Sequence, residues 1–219
     1  MSGFTQSPRL VKAGLVIVDP ASGAISRIIA LQYNADTLTR SLAIQAVGPD
    51  GDRSQPLRLR GPAVETFTLD AELDATDQLE FPGQNPVAVE AGLFPQIGAM
   101  EALVYPSSAQ LNSRNALANA GTLEIAPIEM PLVLFVWSKN RILPVRITSL
   151  SVTEDAFDAA LNPIRAKVSI GLRGLTIDDL GFTHRGGGLF MAYLQAKERL
   201  AARVPGAALA TLGLSGLPL

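Results

Sequence analysis

One histidine and no cysteine stand in this chain of 219 residues, so nucleophilic and metal chemistry have few groups to draw on. A hydrolytic triad needs a histidine oriented by a carboxylate beside a nucleophile. His184 sits instead in a glycine-rich stretch, THRGGGL, and no G-x-S-x-G elbow occurs. A lone histidine cannot supply a typical structural zinc site, and without cysteine there is neither a disulfide framework nor a thiol nucleophile. The run Gly186-Gly187-Gly188 lacks the Gly-Lys-Ser/Thr and the strand-to-helix context of a phosphate cradle, so it reads as a hinge. Two carboxylate clusters remain, Asp70, Glu72, Asp74 and Asp77, and Glu154, Asp155 and Asp158. Paired carboxylates do acid–base work only in a cleft that separates their pKa values. Alternating on the polar face of a strand, they are solvated or face a partner's arginines. Arg58, Arg60, Arg146, Arg165 and Arg173 are the natural opposite charges for intersubunit pairing. No catalytic, cofactor-binding or metal-ligating set emerges, and the expectation is a protein that is not an enzyme.

The segments that would carry these residues are mostly strands. Leu132 to Trp137 is a continuous apolar run, β-branched and aromatic, suited to a strand buried on both faces, with Trp137 in the core. After the polar break Ser138-Lys139-Asn140, Val145 and Ile147 alternate with Arg146 and Thr148. The alternation slips at Ser149-Leu150 and resumes at Val152, as a bulge would make it. Glu154 to Pro163 reads as a polar connection ending in the turn pair Asn162-Pro163. Ala166, Val168, Ile170 and Leu172 then face one way and Lys167, Ser169 and Arg173 the other. Three strands on short links make an antiparallel meander.

Upstream, Leu15 to Val18 and Ile25 to Tyr33 read as strands around the turn formers Asp19-Pro20 and Gly23. Residues 48–56 are a polar loop. Leu57 to Arg60 alternates briefly, and Phe67, Leu69, Ala71 and Leu73 alternate against Thr66, Thr68, Asp70 and Glu72. Several such hairpins indicate a sandwich or barrel. Between 86 and 105 the period changes: Val89, Leu93, Ile97, Met100 and Val104 recur at helical steps. Asn85-Pro86 suits the start of a helix, and Pro95 predicts a kink or restart. Residues 106–129 have little periodicity and read as a long loop. Leu189, Tyr193, Leu200 and Val204 mark an amphipathic helix ended by Pro205-Gly206. The apolar, uncharged residues after it would dock into a groove on another subunit or remain a disordered end.

Composition narrows the partners. A net charge of −2 lacks the basic footprint of a nucleic-acid binder. No stretch approaches the ~20 apolar residues that span a bilayer. The first residues lack the layout of a secretory signal. The expectations are cytoplasmic assembly, no membrane insertion by itself and no nucleic-acid partner.

The words FVWSKNRILPVRITSLSVTEDAFDAALNPIRAKVSIGLRGLT carry a family resemblance. They are similar to the tube-protein domain of contractile injection systems, the phage-tail-like machines of bacteria. The matching positions are Trp137, Ser149 to Val152, Phe157 and Pro163 to Val168. LQYNADTLTRS at 31–41 resembles that family's N-terminal strand end, with Ala35 in place of the usual proline. LRLRGPAVETFTLDAELDATD at 57–77 resembles a further strand. The resemblance implies a mainly β fold with minor α, an antiparallel β-barrel or split sandwich of the tube type. It would occupy 1–175, with a helical insertion at about 86–105, and 176–219 would form a connector, an amphipathic helix and an apolar tail. It also implies a homo-hexameric ring at the baseplate-proximal start of the inner tube. Such a tube initiator or hub adaptor would link the spike and hub to neighbouring tube rings, with no cofactor. Some relatives carry a LysM module, which this sequence lacks. A repeated inner-tube or tube-end component, or an unrelated β-sandwich binding module, are the alternatives.

Overall fold

The computed structural model describes residues 10–46, 58–121, 128 and 130–217. Seven strands, β1 (Gly14–Val18), β2 (Ile25–Ala30), β3 (Leu38–Ala43), β4 (Val64–Asp74), β5 (Leu132–Ser138), β6 (Arg141–Phe157) and β7 (Pro163–Gly174), form one sheet in the order β2-β1-β5-β6-β7-β4-β3. Every neighbouring pair is antiparallel. The fold is therefore mainly β with minor α, as expected, but the sheet does not close, so it is not a barrel.

The connection from β2 to β3 joins the two outermost strands, and that constrains the sheet's shape. A flat sheet of seven strands holds its edges roughly 29 Å apart. Eight fully extended steps from Ala30 to Leu38 span only roughly 28 Å. The linker is not extended: Asn34 accepts from Ala13 N–H at 2.8 Å and donates to the Val11 carbonyl at 2.8 Å. Gln32 donates to the Asp74 carbonyl at 2.6 Å and accepts from Asp74 N–H at 2.9 Å. The sheet must curl for this short, pinned segment to cross it.

The inner face carries one core. Leu15, Ile29, Phe67, Leu69, Ala71, Leu73, Phe135, Leu143, Val145, Val168, Ile170 and Leu172 pack there with Leu93, Ile97 and Met100 from the helical insertion. Alternation along β4 puts every odd residue from Glu65 to Leu73 inside. β5 is buried on both faces, because Leu132 and Leu134 form a second cluster with Val18 behind the sheet. Trp137 departs from the expectation: it is only partly buried, at the rim of the main core, where its ring lies 5.9 Å from that of Phe135.

β5, β6 and β7 form the expected meander, and the slip at Ser149 is a break in register between Ile147 and Ser149. β6 is longer than its pattern suggested and runs to Phe157, so the turn shrinks to 158–162. Asp158 makes that turn, accepting from Ala160 N–H, Asn162 N–H and the Asn162 amide at 2.7–2.8 Å. These bonds, from Asn162 first, hold its pKa below the ordinary carboxylate value. The brief alternation at Leu57–Arg60 forms no strand at 58–60, and Leu57 lies outside the described residues. Leu59 makes only an isolated bridge to Ala46, because Gly61-Pro62 prevents the pattern from continuing into β4. The loop at 48–56 lies outside the described residues.

The helical insertion divides into α2 (Pro86–Ala91) and α3 (Phe94–Glu101), after a short α1 (Thr76–Leu79). The break falls at Gly92, whose φ of +54° favours glycine, and Pro95 sits harmlessly in the first turn of α3. Leu93 N–H donates to the Pro163 carbonyl at 2.8 Å and the Asn162 amide to the Glu90 carbonyl at 3.1 Å, fastening the insertion to the β6–β7 turn.

Residues 106–129 hold a helix where a loop was expected: α4 (Ser108–Asn119) has no buried residue. With no face buried, there is no apolar period to read. Helix propensity and a capping box between Ser107 and Gln110 set its start instead.

α5 (Ile177–Leu180) and α6 (Arg185–Ala201) complete the chain's regular structure, before a single 3-10 turn at Leu209–Leu212. The triple glycine is not a hinge. It forms the first turn of α6, pressed against the residues before it. A Cβ on Gly187 would lie 2.0 Å from the Gly181 carbonyl oxygen, whereas one on Gly188 would meet nothing within 4 Å. Gly187→Ala is therefore expected to destabilise by more than the ~1 kcal/mol that alanine gains inside a helix, and Gly188→Ala to stabilise by roughly 0.5–1 kcal/mol. Denaturant unfolding of both variants checks this; two stabilised proteins would restore the hinge.

Candidate functional site

The residues singled out for chemistry are dispersed or spent on structure. His184 caps α6, its Nδ1 accepting from Gly186 N–H at 3.0 Å. Among the described residues no group of three His, Cys, Asp or Glu side chains converges as a metal site. Asp74 pairs with Arg165 at 2.9 Å and Glu72 with Lys167 at 3.8 Å, across the β4–β7 register. The Thr76 hydroxyl foremost, then its backbone N–H and Arg165, keep Asp74 below the usual carboxylate pKa. Arg173 pairs with Asp179 at 2.9 Å. Two of the five arginines expected between subunits thus serve the chain itself. No ion pair involves Arg58, Arg60 or Arg146 among the described residues.

Glu65 is the buried carboxylate that sequence reasoning missed. Only 4% exposed, it receives Tyr193 Oη at 3.0 Å and Lys197 Nζ at 2.5 Å, with Arg40 at 3.8 Å. Its even spacing with Phe67 and Leu69 was the available signal, since it put a charge on the apolar face. Burial first, and then the Glu65 carboxylate, raise the pKa of Tyr193. The cluster ties α6 to β4 and β3. Lys197→Met strands a buried anion and is expected to cost about 2 kcal/mol, because Lys197 is one-third exposed and partly screened. Glu65→Gln leaves a lysine able to reach water and should cost about 1 kcal/mol. The double variant should be no worse than Lys197→Met alone. Chemical denaturation of the three proteins tests this, and strictly additive losses would show that the pair is uncoupled.

What the sheet does leave available is backbone. Among the described residues β3 pairs only with β4, so its other edge has no strand partner there. β5 stops pairing with β6 at Val145, so among the described residues Arg146 to Phe157 has β7 on one side and no strand on the other. β6 and β3 lie three places apart in an antiparallel sheet and therefore run in opposite directions. The face between them is polar: Thr66, Thr68, Asp70 and Glu72 on β4, Lys167 on β7, and Ser149, Ser151, Thr153 and Asp155 on β6 are exposed. At the end of the β6–β7 hairpin, Leu161 is 74% exposed and holds a φ of +65°, rare for a leucine.

No protein-family model and no curated protein matches the chain. Among solved structures, one similar chain belongs to the tail of an empty GTA particle, computed with helical refinement and C6 symmetry. It is 11% identical, with a TM-score of 0.28, over 74% of this chain and 90% of that chain. At that overlap the likeness decides nothing about function.

Proposed function

We propose that this chain is a non-enzymatic structural subunit of a phage-tail-like injection machine, joined side by side into a closed ring at the start of the inner tube. The observation that carries the reading is that, among the described residues, β3 and the far half of β6 each leave one edge without a strand partner, as the outer edge of β2 also does. A copy rotated about an axis along the strands keeps its direction. Its β3 then meets its neighbour's β6 antiparallel, completing backbone hydrogen bonds that a lone subunit leaves to water. The operation is head-to-tail and repeats until it closes. The polar face would line the bore, and the helices would lie outside. The tube-family words in β6 and β7 support the same reading, since these strands form the repeating wall. The ring would bridge spike and hub to the tube stack.

Mass and copy number of purified particles test it. A hexameric set at one tube end is the expected result. Hundreds of copies would make the chain the repeated tube protein instead, and a subunit that stays monomeric within particles would overturn the reading.

A further inference from the structure

Beside the sheet lies an apolar groove of about 450 Å³, with Val104, Met130, Leu132, Val145, Leu175 and Leu180 among its walls and His184 at its rim. The same chain exposes an apolar segment with nothing of its own to cover. From Gly206 to the end no residue is charged, and Leu209, Leu212, Leu214 and Leu217 are all exposed, Leu212 by 71%. In this structure the two lie at opposite ends of α6. His184 opens α6 and the segment follows its other end, 17 residues on, which an α-helix sets about 25 Å away. Among the described residues none from 205–217 lines the groove.

We infer that the C-terminal segment of one copy docks in the groove of the next, a strap added to the edge-to-edge contact. Each copy then has one donor and one acceptor, separated by the length of α6. That is a heterologous interface, whose propagation from copy to copy follows the proposed ring. An uncharged segment brings no charge of its own to bury in the groove, whose lining includes one charged side chain, the exposed Arg146. Residues 206–217, extended, would reach roughly 40 Å, enough to cross to a neighbouring groove. The inference rests on self-association, and its test separates it from the ring itself.

The chain has no cysteine, so engineered thiols report without background. Full-length Val104→Cys and Leu212→Cys proteins are mixed under mild oxidation, and the products are resolved by mass and peptide mapping. A 104–212 disulfide between chains, in excess of either same-site pair, is the expected result. Imaging the same samples for rings distinguishes the two failures. Rings without the 104–212 bond would overturn the strap and leave the ring. The bond without rings would keep the strap and remove the ring. A double variant that links 104 to 212 only within one chain would show the segment in its own groove, and would overturn the strap as well.

Discussion

Ending the chain after His184 should abolish the native fold. Helix α6 is part of the domain's own packing. Phe190 and Tyr193 are buried, and Tyr193 belongs to the main core. Losing each forfeits about 2 kcal/mol of burial. Glu65 would also remain in an apolar setting without Tyr193 and Lys197, which costs about 3 kcal/mol more. Together these approach the whole stability of an ordinary domain, about 5–15 kcal/mol. Circular dichroism and thermal unfolding of the truncated chain would read this directly. A cooperative transition near the full-length Tm would mean that α6 serves assembly alone. Ending the chain after Pro205 instead keeps α6 and should leave the Tm unchanged, because residues 206–217 are exposed.

Phe135→Ala should be the most damaging single truncation in the sheet, at about 4 kcal/mol. Phe135 is 1% exposed, its ring 5.4 Å from Phe67 at the centre of the core, on a strand covered from both sides. For a chain of this length the Tm would fall by roughly 8–16 °C. Trp137→Ala should cost clearly less, since the indole sits at the rim and its removal opens a dent that water fills rather than a sealed cavity. Scanning calorimetry of the two variants ranks them, and a larger loss at Trp137 would reverse this account of the core.

Both predictions concern the same boundary between pattern and packing. The periodicities of β4, β6 and β7 were legible because burial on one face writes an alternation into the sequence. That alternation survives whatever covers the face. So did the bulge at Ser149, which shifts the phase of the pattern, and the unbroken apolar run of β5. The helical insertion was legible for the same reason, since Leu93, Ile97 and Met100 point into the core. Where no face is buried, as in α4, no period exists to be read.

Non-local choices were decided only in three dimensions. Nothing near Gly187 in sequence specifies that the Gly181 carbonyl will lie against it, so a packing glycine and a hinge glycine look alike. Glu65 became a buried anion because residues 128 and 132 positions away along the chain, Tyr193 and Lys197, return to meet it. Arg165 and Arg173 found partners inside the chain because the register of β4, β6 and β7 and the turn at Thr176 bring carboxylates within reach. The order of strands, and with it the edges of β3 and of the far half of β6 that pair with no described strand, comes from pairings between segments far apart in the chain. Local sequence determined which residues face inward; the long-range contacts determined which edges were left without a strand partner.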